Sequence, residues 1–249
     1  MIVLKTAREI EQMREAGRIA AGALHAGLAA VKPGISTLEV NRIIHNYITS
    51  KGATPSFLGY GGFPAAACIS INSQVIHGIP SEKIIIREGD LVKLDVGAFY
   101  NGFHGDNAAT TTAGQASAEA VRLMEVTKEC LARGIAAIRP DGRLGDIASA
   151  VQTHAENSGF GVVRQFVGHG IGTQMHESPE VPNYGKAGRG VRLSPGMVIA
   201  IEPMINAGTW EVRELKDGWT IVTADGKLSA HFEHTVAITE NGPEIMTAL

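Results

Sequence analysis

The sequence predicts an α/β fold in which two similar halves share one core. Predicted elements follow the order helix, helix, strands, and this order occurs twice along the 249 residues. Short motifs also recur at a constant spacing, which indicates an internal duplication. The chain contains 30 glycines, which favours many tight turns between strands over an all-helical bundle. Its hydrophobic fraction of 44% is sufficient to bury a core of this size.

Two helices open the first half. Apolar residues at helical spacing extend from Thr6 to Ala30, and Glu9 stands three residues after Thr6, as in a capping box. Lys32-Pro33-Gly34 ends this helix. Ser36 then caps a second helix, which we expect to end at about Ser50.

Strands are predicted from apolar runs bounded by turn residues. Asn101-Gly102 is a strong hairpin signal, and it joins predicted strands at 91–99 and 103–112. Glycines, prolines and short apolar runs between 57 and 80 predict short strands and loops. The second half repeats the order, with helices at 117–138 and 144–157 and then strands around 162–167, 197–205, 219–223 and 231–239.

The duplication rests on motifs that recur 107 residues apart. These pairs are Val31-Lys32-Pro33 with Ile138-Arg139-Pro140, Glu39-Val40 with Asp146-Ile147, Gly52 with Gly159, Gly89 with Gly196, and Asp95 with Glu202. His77-Gly78-Ile79 and His169-Gly170-Ile171 match across a shorter loop, and Asp106 and Glu233 match across a longer one. We therefore predict a single catalytic domain over 1–249, with halves at about 1–112 and 113–249 and a site where they meet.

Composition excludes several classes of protein. There are 22 basic and 25 acidic residues without a basic stripe, so we expect no nucleic-acid partner. Cys68 and Cys130 are too few for a disulfide scaffold and fit a reducing cytoplasm, where we expect the protein to reside. The apolar run from Ile19 to Val31 contains His25 and is too short to span a bilayer, so we expect no membrane association.

Four carboxylates lie in or at the ends of strand-like apolar runs: Asp95, Asp106, Glu202 and Glu233. A single such residue is more simply an edge-strand residue that faces water. Four of them in two equivalent hairpins favour burial, and an unpaired buried carboxylate costs several kcal/mol. Each therefore requires a cation nearby.

The hairpin geometry brings two of these carboxylates together. With Asn101-Gly102 as a two-residue turn, Gly97 lies opposite Asp106, and Asp95 points to the same face on a diagonal of roughly 7–8 Å. Four such charges would be neutralised by two divalent ions. His169, between glycines, is the nitrogen ligand we expect, although a histidine in such a loop is more often a turn residue. This donor set suits Mn, Fe, Co or Zn, and a metal pair that shares a hydroxide predicts a dinuclear metallohydrolase.

A glycine-rich run surrounds His169: Phe166-Val167-Gly168-His169-Gly170-Ile171-Gly172-Thr173-Gln174-Met175-His176-Glu177. Together with Pro182-Asn183-Tyr184, this run resembles the signature of the type I methionine aminopeptidases, which are M24 peptidases. The ordered set Asp95, Asp106, His169, Glu202 and Glu233 matches that family's metal ligands, and the similarity extends to Ala237. The resemblance implies the pita-bread fold, with two pseudo-twofold related α/β halves around a central antiparallel sheet. It also implies removal of the initiator methionine from nascent chains whose second residue is small.

The resemblance also implies the role of each residue. Asp106 and Glu233 would bridge two divalent ions (Co, Mn, Fe, Zn or Ni), Asp95 would bind one, and His169 and Glu202 the other. A metal-bridging hydroxide would attack the methionine carbonyl, with Glu202 as proton shuttle. His176 would stabilise the oxyanion and His77 would contact the scissile amide nitrogen, although both histidines could instead be satisfied in loops. We interpret His104 as a hairpin residue, and His231 and His234 as groups behind the ligands or on the opposite face.

A methionine pocket is implied at six positions: Phe57, Tyr60, Phe63, Cys68, Met175 and Trp219. Ordinary core packing is the alternative for all six, and Phe57, Gly61, Phe63 and Met175 depart from the common bacterial pattern. Asn72 and Ser229 match a monovalent-cation site of the family. The implied partners are nascent polypeptide N-termini and, transiently, the ribosome, with a monomer as the family's usual state.

Two alternatives remain open at this point. Proline dipeptidases and aminopeptidases P share the five ligands but carry a large N-terminal domain, whereas the first half-repeat here begins almost at residue 1. A pita-bread binding protein that has lost its metals is the other alternative, and the five retained ligands argue against it. We further expect no zinc-finger extension, no type II insertion between His176 and Glu202, and a retained Met1 because Ile2 follows it.

Overall fold

The computed structural model describes residues 1–139 and 141–248. Within these residues the helices are α1 (Ala7–Ala30), α2 (Thr37–Ser50), α3 (Ala118–Ala136) and α4 (Leu144–Asn157). The strands are β1 (Thr54–Pro55), β2 (Cys68–Ile71), β3 (Gln74–Ile76), β4 (Leu91–Tyr100), β5 (Phe103–Thr112), β6 (Gly161–Val162), β7 (Gly168–Gly170), β8 (Glu177–Val181), β9 (Val198–Ile201), β10 (Met204–Asn206), β11 (Val212–Glu214), β12 (Ile221–Thr223), β13 (Ser229–His231), β14 (Glu233–Thr239) and β15 (Gly242–Ile245). A 3₁₀ turn covers Tyr60–Gly62.

One curled antiparallel sheet organises the fold and confirms the predicted class. Its strands follow the order β1-β4-β5-β14-β9-β7-β8, with β2 on β4 and β15 on β14. Strands of the first half meet those of the second where β5 pairs with β14. Two small sheets, β13-β10-β6 and β11-β12-β3, flank this arrangement. The sheet order thus brings the two predicted carboxylate hairpins side by side.

The β4–β5 hairpin has the register that the sequence predicts. Tyr100 pairs with Phe103 and Gly97 with Asp106. The turn residues Asn101 and Gly102 both have positive φ, 50° and 88°, as this two-residue turn requires. Because the side-chain period of a strand is two residues, Asp95 and Asp106 lie on the same face.

Local sequence signals determine where the helices begin. The Thr6 side chain accepts a hydrogen bond from the Glu9 amide, and the Glu9 carboxylate accepts one from the Thr6 amide, which completes the capping box of α1. The Ser36 side chain caps α2 by accepting a hydrogen bond from the Glu39 amide. The α3 helix is shorter than the predicted 117–138, since Ser117 is its N-cap and residues 137–138 lie beyond its end. None of the described helices has the length and apolar character needed to cross a bilayer.

The helices cover one side of the sheet in each half. Ala20, Ile44 and Leu94 belong to one buried cluster that joins α1 and α2 to β4. Ile147 and Ile201 belong to another that joins α4 to β9. The α1 helix lies so close to β5 that a Cβ atom on Gly105 would meet the Gly17 nitrogen at 2.6 Å. The opposite side of the central sheet remains available for a site.

The two halves contain equivalent backbone hydrogen bonds at the predicted spacing. Thr37 N donates to Ile84 O and Leu144 N to Val191 O, and Ile86 N donates to Ile35 O and Leu193 N to Gly142 O. The glycines of two repeat pairs share positive φ angles: 71° and 82° at Gly52 and Gly159, and 85° and 92° at Gly89 and Gly196. Pro140 of the Ile138-Arg139-Pro140 motif lies outside the described residues, and the division of the chain near 112 stays a prediction.

Several predicted strands are shorter than expected. The run 162–167 contributes only its first residue to β6, and 219–223 becomes a strand at Ile221. The run 197–205 divides into β9 and β10 because Pro203 cannot donate a ladder hydrogen bond. The run 231–239 is also divided: β13 ends at His231 and β14 begins at Glu233, with Phe232 between them. The strands β8, β11 and β15 were not predicted, because their sequences are polar or contain proline.

Candidate metal and substrate site

Every predicted catalytic, metal-binding and pocket residue except Met175 lines a single cavity of about 230 Å³. The five predicted metal ligands come from five successive strands of the central sheet. Asp95 lies in β4, Asp106 in β5, Glu233 at the start of β14, Glu202 just after β9, and His169 in β7. Neighbouring strands of the sheet therefore place the five side chains together although the chain separates them widely.

Three of the five predicted ligands bring their ligand atoms close to one another. Asp106, His169 and Glu233 each offer one ligand atom, and these three atoms lie within 4.8 Å of one another. His169 Nε2 is 3.8 Å from Asp106 Oδ2 and 3.7 Å from Glu202 Oε1. The other ring nitrogen, Nδ1, lies 2.8 Å from Gly170 O. This hydrogen bond fixes the tautomer and leaves Nε2 free to ligate, as is usual for metal-binding histidines.

The buried carboxylates of the cluster need a cation to balance their negative charge. Among the described residues, the buried oxygens Asp95 Oδ1, Asp106 Oδ1 and Glu233 Oε1 have no hydrogen-bond partner. Burial raises the pKa of Asp95 to about 7. Burial first, and repulsion between the carboxylates second, raise the pKa values of Asp106, Glu202 and Glu233 well above their ordinary range.

The same burial favours a neutral imidazole. It lowers the pKa of His169 to about 4, with a smaller contribution from His176. A neutral histidine and unpartnered buried carboxylate oxygens are what divalent transition-metal ions require of their ligands. The residues present therefore fit the divalent metal site that the sequence predicts.

His176 and His77 face the cavity beside the carboxylates. The His176 ring lies 4.2 Å from the His169 ring, centroid to centroid, and its Nδ1 is 2.7 Å from the Tyr60 hydroxyl. His77 has a φ of +59°, which is rare for a residue with a side chain. Its ring meets Phe166 edge to face at 5.8 Å, and burial lowers its pKa to about 4. Phe166 thus supports His77, a contact that sequence reasoning did not find.

An apolar cluster forms the wall of the cavity next to the carboxylates. It contains Phe57, Phe63, Ala65, Cys68 and Met175, with Ile79 and Trp219 packed against them. Phe63 and Trp219 meet edge to face at 5.1 Å, and Tyr60 lies at the exposed rim. Burial, followed by the nearby carboxylates, raises the pKa of the Cys68 thiol, which suits a wall residue and not a nucleophile.

Met175 is 2% exposed and belongs to the same apolar cluster as the cavity-lining Phe57, Phe63 and Cys68. It is not itself among the residues that line the cavity. Its contact with substrate stays a prediction beside the alternative of core packing.

The remaining histidines near the ligands have other neighbours. His104 Nδ1 lies 2.9 Å from Ser56 Oγ, and His234 Nδ1 lies 2.8 Å from Thr247 Oγ1. His231 is buried behind Glu202, with Nε2 3.9 Å from a carboxylate oxygen. None of these three histidines is among the residues that line the cavity.

The two residues predicted for a monovalent cation contact a lysine side chain. The backbone oxygens of Asn72 and Ser229 do lie together, but both accept a hydrogen bond from Lys93 Nζ, at 2.8 and 2.9 Å. A lysine amine thus lies where the resemblance implied an ion.

Comparison with known proteins identifies the class that this fold and site define. The family model of metallopeptidase family M24 matches residues 11–240, and the chain belongs to that family. The chain is 53% identical to the methionine aminopeptidase of Clostridium perfringens over 249 residues, which cover 100% of both chains. It is 49% identical to methionine aminopeptidase 1 of Bacillus subtilis over 247 residues, 99% of each chain. These relatives confirm the resemblance to type I methionine aminopeptidases.

Solved structures of methionine aminopeptidases also match this chain, and solved structures of proline peptidases match it less closely. The crystal structure of methionine aminopeptidase from Thermotoga maritima matches with a TM-score of 0.98 and 44% identity over 100% of both chains. The prolidase from Pyrococcus furiosus matches 99% of this chain but only 66% of its own, with a TM-score of 0.80 and 27% identity. The pita-bread fold is common to both, and the full-length agreement favours the methionine aminopeptidases.

Proposed function

We propose that this protein removes the initiator methionine from nascent polypeptides whose second residue is small. It is a metal-dependent aminopeptidase. The observation that carries the proposal is the position of five convergent ligand side chains against an apolar cavity large enough for one side chain. That cavity, about 230 Å³, is below the roughly 300–1,000 Å³ of pockets for drug-sized ligands.

The five ligands divide between two divalent ions. Asp106 and Glu233, on the paired strands β5 and β14, would bind both ions, Asp95 would complete one, and His169 and Glu202 the other. When bound, such a pair supplies Lewis-acid polarisation of a scissile carbonyl and a nucleophile at neutral pH. Co, Mn, Fe, Zn and Ni all suit these donors.

His176 is positioned to stabilise the oxygen of the scissile carbonyl. When the Tyr60 hydroxyl donates to Nδ1, the ring proton resides on Nε2, which then serves as the hydrogen-bond donor to substrate. Burial lowers the pKa of His176, so the ring stays neutral at physiological pH. Donors of this kind contribute ~10²–10³ in rate.

Glu202 is the residue that moves the proton. Its carboxylate is one of the five predicted ligands, with Oε1 3.7 Å from His169 Nε2. A carboxylate at this position can accept a proton and pass it to the leaving amine. His77, which also lines the cavity, would contact the nitrogen of the scissile amide.

The apolar wall determines which side chain enters. Phe57, Phe63, Cys68 and Trp219 line the cavity with aromatic rings and sulfur, which favour contact with a thioether. Tyr60 lies at the rim, where a bulky second residue would collide. We place the enzyme in the cytoplasm, where Cys68 and Cys130, both free, stay reduced, and where it acts as a monomer on chains that leave the ribosome.

Peptide hydrolysis tests the proposal. Chelated protein should not release methionine from Met-Ala-Ser, and titration with Mn, Co or Fe should restore the release. A Met-Trp-Ser peptide should be cleaved far more slowly, and Xaa-Pro peptides should not be cleaved. Absence of methionine release from Met-Ala-Ser with every added metal would overturn the assignment.

A further inference from the structure

Lys93 is a fully buried lysine that the reaction does not use. It lies in the middle of β4, its residue is 2% exposed, and Val92 and Leu94 beside it are completely buried. Burial lowers the pKa of its amine, and the charge of Asp90 opposes that change. In either protonation state the amine has at least two N–H donors, so its hydrogen bonds do not depend on its charge.

Those hydrogen bonds go to two backbone oxygens from different halves of the chain. Nζ donates to Asn72 O at 2.8 Å and to Ser229 O at 2.9 Å. These acceptors are 21 and 136 residues away along the sequence. The lysine therefore connects the turn between β2 and β3 to the strand β13.

Both acceptors are held in place independently of the lysine. Asn72 has a φ of +53°, its Nδ2 donates to Asp90 Oδ1 at 2.7 Å, and its Oδ1 accepts from Leu91 N at 2.9 Å. Ser229 N donates to Asn72 O at 3.1 Å, and Ser229 Oγ lies 3.2 Å from Ile205 O. The two oxygens thus form a preformed acceptor pair, and backbone carbonyls are good ligands for hard cations.

We propose that the side-chain amine of Lys93 replaces a monovalent cation at this position, so that the protein requires neither Na⁺ nor K⁺ there. The resemblance places an ion at Asn72 and Ser229, but the amine already occupies the space between their two oxygens. An ion and an amine cannot bind the same oxygen pair at once. A donor attached to the chain also needs no free ion, so the contact is independent of ion concentration.

The contact of Lys93 with the two backbone oxygens involves segments that carry two of the predicted metal ligands. Lys93 lies two residues before Asp95 on β4, and Ser229 begins the segment that reaches Glu233 through β13. Thr110 Oγ1 on the adjacent β5 donates to His231 O at 2.7 Å, a second tie to the same segment. The amine therefore helps to hold the strand with one metal ligand against the segment that delivers another.

The experiment compares melting temperatures of metal-loaded protein in equal concentrations of NaCl, KCl and tetramethylammonium chloride. Wild-type protein should melt at one temperature in all three salts. Lys93→Ala opens the space and leaves both oxygens, so its melting temperature should rise saturably with Na⁺ or K⁺ and not with tetramethylammonium. Lys93→Met fills the space without a donor, so it should be less stable in every salt without discrimination. The exposed Lys83→Ala serves as the matched control for lost surface charge.

Two results of the melting-temperature comparison would overturn the proposal. One is a wild-type melting temperature that Na⁺ or K⁺ raises specifically, which would place an ion at the site beside the lysine. The other is a Lys93→Ala protein that melts identically in all three salts. If Lys93→Ala does not fold, Lys93→Ser, which returns one oxygen, replaces it in the comparison. In addition, ²³Na line broadening by wild-type protein that K⁺ reverses would refute the proposal without any variant.

Discussion

The buried ion pair between Lys5 and Glu177 gives a prediction that the structure makes quantitative. The Lys5 ammonium contacts the Glu177 carboxylate, and the two side chains are only 3% and 11% exposed. Lys5→Met keeps the aliphatic length but leaves the carboxylate buried without its cation. Loss of one partner of a buried pair costs about 3–5 kcal/mol. Glu177 keeps a 3.2 Å hydrogen bond from Gln174 N, so we expect the lower end, about 3 kcal/mol.

Urea unfolding measures this change in the free energy of unfolding. A loss of about 3 kcal/mol lowers the melting temperature of a chain of this length by about 6–12 °C. Glu177→Leu alone should be comparably destabilising, because it leaves the Lys5 amine buried and unpaired. The Lys5→Met/Glu177→Leu double variant should recover most of the loss, since replacement of both charges by apolar groups is often neutral. A loss under about 1 kcal/mol for Lys5→Met, or a double variant with the summed loss, would refute the reasoning.

The remaining predictions concern the reaction and the metal site. Glu202→Gln should lower kcat for Met-Ala-Ser by about 10²–10⁴ with unchanged far-UV circular dichroism, because the amide cannot carry the proton. Tyr60→Phe removes the hydroxyl 2.7 Å from His176 Nδ1, which should lower kcat/KM by about twofold to tenfold in steady-state assays. In chelated protein, Asp95 has a folded-state pKa raised from 3.8 to about 7, so the folded state holds its proton more tightly. The contribution of Asp95 to the stability of that protein should therefore fall as pH rises between these values, measured as the difference in urea midpoints between wild type and Asp95→Asn, and divalent metal should abolish the fall. The comparison with Asp95→Asn isolates this carboxyl group, because burial lowers the pKa values of His77 and His169 to about 4 and gives them the opposite pH dependence.

Each of these predictions has a contrary outcome. Full activity of Glu202→Gln would remove this residue from proton transfer. A Tyr60→Phe enzyme with wild-type kcat/KM would show that the hydroxyl does not orient His176. A difference between chelated wild type and chelated Asp95→Asn that grows in favour of wild type as pH rises over the same range would contradict the sign of the Asp95 shift.

The sequence predicts best where a short-range signal determines geometry. Asn101-Gly102 permits one turn type, and that turn sets every pair of the β4–β5 ladder, so the relation of Asp95 to Asp106 follows without further information. Capping residues mark the start of α1 and α2 for the same reason. The glycine-rich motif around His169 identifies the predicted nitrogen ligand in the second half of the chain.

Prediction is poorest where partners are distant in the sequence. Lys93 in a strand has the same local pattern whether it faces water or the core, and its acceptors lie far away along the chain. The same holds for Lys5 and Glu177, which are 172 residues apart. For Met175 the resemblance gives a sequence position only, and its packing within the apolar cluster does not follow from that position.

The arrangement of the predicted ligands on the sheet would make bound metal ions part of the fold as well as of the reaction. Asp95 and Asp106 belong to strands of the first half, whereas Glu202, Glu233 and His169 belong to the second, and β5 pairs with β14 between them. That ladder is short, with Glu233 opposite Ala108 and His234 opposite Asn107. Repulsion among the buried carboxylates therefore acts across a junction with two ladder pairs. Cations that bind the closed junction would add their binding free energy to the free energy of unfolding there.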